Sequence, residues 1–188
     1  MGLLSARHAV GELVPTRDVN LAAFWYRRAI AYLPGYAKAR VHCAEIDASQ
    51  GRTADAEASL LATLTSRDPE VRWRLADVLT AQERLEEAKI QLDAARIRFE
   101  ELLGKHLLAF ADHAAEFYAG SGNDRRRALE LVRTNVANRP TRRAIKQAHA
   151  IAACEAAACG RLRETAARQH PHEHLRNPTA RDSRSASK

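Results

Sequence analysis

At 188 residues the chain is long enough for one domain with a sizeable core and too short for two. Hydrophobic residues make up 46% of it but aromatics only 5%, with alanine throughout, which favours closely packed helices and excludes a strand-built fold. The formal charge of +7 is no argument for nucleic acid, because +4 of it lies in the last 28 residues, from Arg161 onward.

Met1 to Pro15 includes Arg7, His8 and Glu12 and has no continuous apolar block, so no signal peptide is expected. Nowhere does an apolar run approach the roughly 18 residues of a membrane span. Cys43, Cys154 and Cys159 are odd in number and lack a disulfide spacing. They suit a reducing compartment, and a cytoplasmic protein is expected.

Proline and glycine then cut the chain into pieces of helical length. The cuts fall at Pro34-Gly35, Gly51, Asp68-Pro69, Gly104, Gly120-Ser121-Gly122, Pro140, Gly160 and Pro171. Such short connections force neighbouring helices to pack antiparallel. Asp68 is placed to cap a helix that Pro69 opens and Glu70 favours through the dipole, and Asn123-Asp124 and Thr53 with Asp55 read the same way. Apolar residues recur at three and four: Leu75, Val78 and Leu79, then Leu85, Ala88, Leu92, Ala95, Phe99 and Leu102.

The pieces repeat. Gly51–Ala56 recurs as Glu83–Ala88 and again as Gly160–Thr165. Cys43-Ala44 stands thirteen and twelve residues before Ala56, Leu75-Ala76 equally far before Ala88, and Ala115 thirteen before Ala128. Four residues past those alanines come Leu60, Leu92 and Val132, and Pro69 and Pro140 close the unit. The inter-helix turns are spaced by 32, 40 and 37 residues. Ala88–Leu103 fits the pattern in two registers seven residues apart, about two helical turns, so this helix is expected to be extended with its face preserved.

In these features the chain resembles the tetratricopeptide repeat, whose unit of about 34 residues runs W-x2-L-G-x2-Y, then A-x3-F, then P. Ala22, Tyr26, Ala29, Ile30, Tyr32 and Pro34 reproduce the second-helix half, and the resemblance covers roughly residues 3–169. It implies an all-α, right-handed α-solenoid of about four antiparallel helix pairs over residues 1–169. The final unit departs from the pattern, with Thr165 for the small alanine and Pro171 ending the helix early. Residues 170–188 hold one leucine and no aromatic, and are expected to form a disordered basic tail.

The resemblance also implies function: no catalysis and no cofactor, but a concave groove, lined by the first helix of each pair, that binds a segment of another protein. The family's groove positions fall five and two residues before the small pair's first member and two after it. They point to Lys38, Val41 and Glu45, to Glu70, Trp73 and Asp77, and to Phe110, His113 and Phe117. Three large aromatics among charges suit a recognition surface, and equally suit packing between repeats. The family's carboxylate clamp needs asparagines beside lysines, whereas this chain offers His42, Glu45 and Asp77 there.

Other clusters carry less. His170, His172 and His174 have a period-two spacing that suits a metal, yet they sit in a solvated tail, and Cys154 and Cys159 are about 140° apart on a helix. No metal site is expected. Gly120–Arg127 looks like an anion cradle but falls where the repeat needs a turn. Asp112-His113, His42 near Glu45 and Asp47, and His106 seven before His113 have no nucleophile or oxyanion motif beside them. Arg125–Arg127, Arg139, Arg142, Arg143 and Lys146 support the alternative, a basic helical module that binds nucleic acid or another polyanion. Interspersed acids and the lack of stacking aromatics argue against nucleic acid.

Overall fold

The computed structural model describes residues 18–153, and within them every regular element is a helix. In chain order these are α1 (Val19–Tyr32), α2 (Ala37–Ser49), α3 (Thr53–Leu61), α4 (Pro69–Ala81), α5 (Leu85–Ala119) and α6 (Arg125–Asn138), with α7 helical over residues 142–153. Helix α5 is two helices joined at a kink, where His106 leaves helical backbone with φ −144° and ψ 53°. Three complete antiparallel pairs result: α2–α3, α4 with the first half of α5, and the second half of α5 with α6. Helices α1 and α7 flank them. The chain is an α-solenoid of helix pairs, as the repeat pattern implies. The expected tail, the boundary at residue 169, Cys154, Cys159 and the three tail histidines lie outside the described residues.

The starts follow the capping chemistry at three helices. The carboxylates of Asp18, Asp68 and Asp124 accept from the backbone N–H of Leu21 (2.9 Å), Glu70 (3.0 Å) and Arg127 (2.9 Å). Thr53 corrects the expectation for α3. It is the helix's first residue, Arg52 holds the cap position, and no side chain caps that end; Asp55 still complements the dipole in the first turn.

The extension expected in the second pair is present, with helical backbone from Leu85 to Lys105 before the kink. At 1.5 Å per residue that is about 31 Å. Its added turns bury Phe99 and Leu103, so the inward residue there is Leu103 and not the half-buried Leu102.

The core runs along the stack as three clusters. Ala22, Tyr26 and Ala29 of α1 pack on Ala39 and Cys43 of α2. Val41 and Ala44 join Ala56 and Leu60 of α3 and the Val71, Leu75 and Ala76 face of α4. Leu92 touches this cluster and also the next, which holds Trp73, Phe99, Phe117, Tyr118 and Leu131. Alanines at the crossings let the helices approach closely, and the volume comes from a few large side chains. Phe99 and Phe117 stack with centroids 5.0 Å apart, an aromatic pair contributing about 0.5–1.5 kcal/mol beyond its buried area. No single pair could bury these faces alone.

Candidate functional site

The first helices of successive pairs stand side by side: α2, α4, the second half of α5, and α7. Their burial patterns fix how they align. On α4 the buried run is Leu75, Ala76, Val78 and Leu79; on α5 the same spacing is Ala114, Ala115, Phe117 and Tyr118. The small pair of the third unit is therefore Ala114-Ala115, one residue earlier than the interval to Ala128 implies.

The cause is a longer turn. Each pair closes by the same bond: Arg52 N–H donates to Asp47 O (2.9 Å), Arg84 N–H to Leu79 O (2.9 Å) and Asp124 N–H to Tyr118 O (2.8 Å). Each turn also holds one left-handed residue, at Gly51 (φ 79°), Glu83 (φ 63°) and Asn123 (φ 47°). The third closure spans one residue more, taken up within Gly120-Ser121-Gly122. Hence the positions equivalent to Glu70, Trp73 and Asp77 are Ala109, Asp112 and Glu116, and no longer Phe110, His113 and Phe117.

Four of the expected contact residues are buried. Val41 and Phe117 are fully buried, Trp73 is 4% exposed and Glu70 6%. The Trp73 indole packs edge-on against Phe99 (6.3 Å) and Phe117 (5.6 Å), and its Nε1–H donates to Ser121 Oγ at 3.1 Å. The Arg74 guanidinium covers its outer face, 3.6 Å from the ring centroid. Trp73 and Phe117 are core residues, which corrects the reading that put them in the groove. Phe110 is half-buried and packs against the same cluster. Lys38 is exposed, and Glu45, Asp77 and His113 are half-buried and held in ion pairs.

A polar ladder joins these helices along their shared face. It runs through the residue just before each small pair: His42, Arg74 and His113, with Gln147 on α7. Arg74 reaches back to Glu45 on α2 (2.8 Å) and along its own helix to Asp77 (3.2 Å), while His42 Nδ1 meets Glu45 at 2.9 Å. His113 Nδ1 pairs with Glu70 on α4. From α7, Gln147 Nε2 donates to the Asp112 carbonyl (2.8 Å) and to Glu116 (3.2 Å), and Arg143 lies 3.7 Å from the Asp112 carboxylate. Of these, His113 was expected as a groove residue and His42 was noted beside Glu45 and Asp47, whereas no bracing role was foreseen for Arg74 or Gln147. Their common place before the small pair was the available signal.

The electrostatics follow from burial and pairing. Burial pushes the Glu70 carboxyl up, but the His113 hydrogen bond and charge, with Lys38 and His42 beyond, outweigh it and hold the pKa down to about 2. The same bond raises His113 against the opposing effect of burial. Asp77 is raised by burial, although Ser121 and Arg74 partly offset it, and burial also raises the Cys43 thiol.

The remaining candidates are structural. Gly120–Gly122 is the inter-helix turn, closed by Gly122 N–H on Phe117 O (2.8 Å) and by Arg96 on Gly122 O (2.6 Å). Of the arginine cluster, Arg127 is bound by Glu100 (2.8 Å) and Glu130 (3.2 Å), and Arg139 by Asn135 and the Leu108 carbonyl. The kink at His106 separates it from the helix that carries His113. Among the described residues no group of three or more His, Cys, Asp or Glu is placed to hold a metal ion, and no helix is long and apolar enough to cross a membrane.

Fold and face together define a helical-pair repeat protein with a cross-braced row of first helices. No protein-family model matches the chain, and no curated protein sequence matches it. Among solved structures it is similar to the crystal structure of MamA, at 15% identity over 83% of this chain and 86% of that one, with a TM-score of 0.41. So low a score supports no conclusion about function.

Proposed function

We propose that the chain is a non-catalytic protein-interaction scaffold that takes up a segment of another protein along the row of first helices. The observation that carries this is the ladder itself. Arg74 to Glu45, His113 to Glu70 and Gln147 to Glu116 brace consecutive helices, so the face is held in one shape before a partner arrives. Preorganisation lowers the ordering cost of binding. Lys38, Ala109 and Glu116 are exposed on this face and serve as its contacts, bordered by Glu45, Asp77 and His113 in their ion pairs. Trp73 and Phe117 act from beneath as support. The buried Cys43 thiol suits a reducing compartment, and the cytoplasm is the location we favour.

The test is site-specific photocrosslinking in the native cell. A photoreactive residue at exposed Ala81 or Ala109, on the first helices, should capture a discrete protein species. The same residue at Lys89 or Asp93, exposed on the second helix of its pair, should not. Equal capture from both sets, or nucleic acid alone, would remove the reading.

A further inference from the structure

Charge is divided sharply along the chain. Residues 18–124 hold thirteen Lys/Arg against seventeen Asp/Glu, whereas residues 125–149 hold eight against a single Glu130. The whole formal charge of +7 is thus equalled by one short stretch near the end of the described solenoid.

Part of that stretch lines a cleft. It opens between the end of α5 and helix α7, with a volume of about 1020 Å³. Ala119, Gly120, Ala150 and Ile151 give it an apolar lining, and Arg142 and Lys146 stand along α7. These two are one helical turn apart and therefore share a side of α7. Both are exposed, and neither has an ion-pair partner among the described residues. The other charges in the cleft are engaged: Arg143 by Asp112, and Glu116 by the Gln147 amide.

We propose that this cleft docks an acidic, extended segment of a partner protein. Its carboxylates would meet Arg142 and Lys146, and its intervening apolar side chains would lie on Ala119, Ala150 and Ile151. The spacing fits. Side chains one helical turn apart are about 5–6 Å from each other at Cβ, and alternate residues of an extended chain about 6–7 Å. Nucleic acid fits worse. No aromatic lines the cleft for a base to stack on. The inference rests on the scaffold reading and narrows it to the last helices of the row and to an acidic partner.

Fluorescence anisotropy on the full chain tests this with a labelled twelve-residue peptide of alternating Asp and Leu. The peptide should bind, with affinity falling as salt rises, and its Asn-Leu counterpart should not. Arg142→Gln with Lys146→Gln should weaken binding about tenfold or more, since the cationic partner of each charge contact is then lost. The exchange Arg142→Lys with Lys146→Arg keeps the charge and should stay within about threefold. Arg126→Gln with Arg133→Gln, outside the cleft, should have no such effect.

Equal binding of the Asn-Leu peptide, no binding of either, or equal loss from the outside pair overturns the proposal. So does tighter binding of a duplex DNA through Arg142 and Lys146, or self-association of the chain that the same two substitutions abolish. Failure here with crosslinks intact at Ala81 and Ala109 removes the cleft and leaves the scaffold. Loss of both removes the scaffold as well.

Discussion

The turn at Gln82–Arg84 and the turn at Gly120–Asp124 close their helix pairs by the same backbone bond, yet the second contains one residue more. The shorter turn is solvent-exposed apart from a half-buried Gln82, and its side-chain contacts, Arg84 with Glu57 and Glu87, are ion pairs at the surface. The longer one reaches into the core. Ser121 accepts from the Trp73 indole and donates to Asp77, and Gly122 lies flat against Phe117. An insertion that elsewhere would bulge into solvent here seals the outer end of the aromatic cluster. It also shifts every surface position of the third unit by one residue, about 100° around the helix. In a stack of repeats, which side chains face a partner depends on the residue count of the turns as much as on the helices.

The sharpest test of that seal is Trp73→Ala. With the indole buried against Phe99 and Phe117 and bonded to Ser121, the loss should be about 3–5 kcal/mol in urea unfolding, the usual cost of deleting a buried aromatic. A midpoint shifted by only a few tenths of a kcal/mol would return Trp73 to the surface and undo the alignment of Ala114-Ala115.

Gly122→Ala probes the same turn from the other side. An added Cβ would sit 2.8 Å from Phe117 Cε1 and 2.9 Å from the Phe117 carbonyl oxygen, and the backbone oxygen cannot swing aside. Overpacking of this kind costs about 1–3 kcal/mol. Gly35→Ala is the control, because no atom lies within 4 Å of its would-be Cβ, and it should leave the unfolding midpoint unchanged or slightly raised. Equal effects at the two sites would show that the long turn is not packed as described.

Much of this was legible in the sequence, and the illegible part has physical causes. Asp68-Pro69 and the recurring Gly51, Glu83 and Asn123 turns marked the helix pairs, because caps and left-handed residues are local devices. The apolar periodicity of Ala88–Leu103 disclosed the lengthened helix, since its face had to stay inward. The third register was not readable. Gly120-Ser121-Gly122 imposes no residue count, and both alignments put alanines at a crossing. Trp73 misled because the family's groove position falls there, and the sequence does not show that Arg74 covers its ring. An arginine laid over a ring and one extended into water look alike in sequence. The ladder was hidden for a different reason: each rung joins residues on different helices.

The two units also differ in how their rungs respond to pH. One rung is an arginine, Arg74, and the other is a histidine, His113, whose side chain type titrates near neutral pH. The raised His113 contributes stability that is complete below its unfolded value of about 6.5 and is lost as pH rises through the higher folded value. The lowered Glu70 contributes stability that is complete above about 4.5 and is lost as pH falls toward about 2. The pair is therefore strongest between about 4.5 and 6.5, with Asp112 adding to the upward pull on His113 and Lys38 opposing it. His113→Gln should cost on the order of 1–2 kcal/mol at pH 6 and distinctly less at pH 9, because buried pairs are costly to break only while both members are charged. For Arg74→Gln the loss should be flat from pH 6 to 9. Thermal melts at the two pH values, each against the unaltered chain, decide it, and a His113→Gln penalty independent of pH would exclude a charged rung.

The smallest expected effect lies in the short turns and bears on why their count is fixed. Gly51 and Glu83 occupy the same left-handed place, at φ 79° and φ 63°. For any residue with a Cβ that conformation brings the Cβ close to the following carbonyl oxygen and costs about 1–2 kcal/mol, a strain glycine escapes. The Glu83 side chain has no neighbour that rewards it, being exposed and without a side-chain hydrogen bond or ion pair among the described residues. Glu83→Gly should therefore stabilise the chain. The gain is cut by the extra freedom glycine has when unfolded, leaving about 0.5–1 kcal/mol. Gly51→Ala should move the other way by a similar amount, since its would-be Cβ meets no atom and only the backbone strain remains. Paired urea titrations of the two variants measure both signs at once. Destabilisation by Glu83→Gly would mean that its side chain supports the turn, and that the two short turns are not equivalent after all.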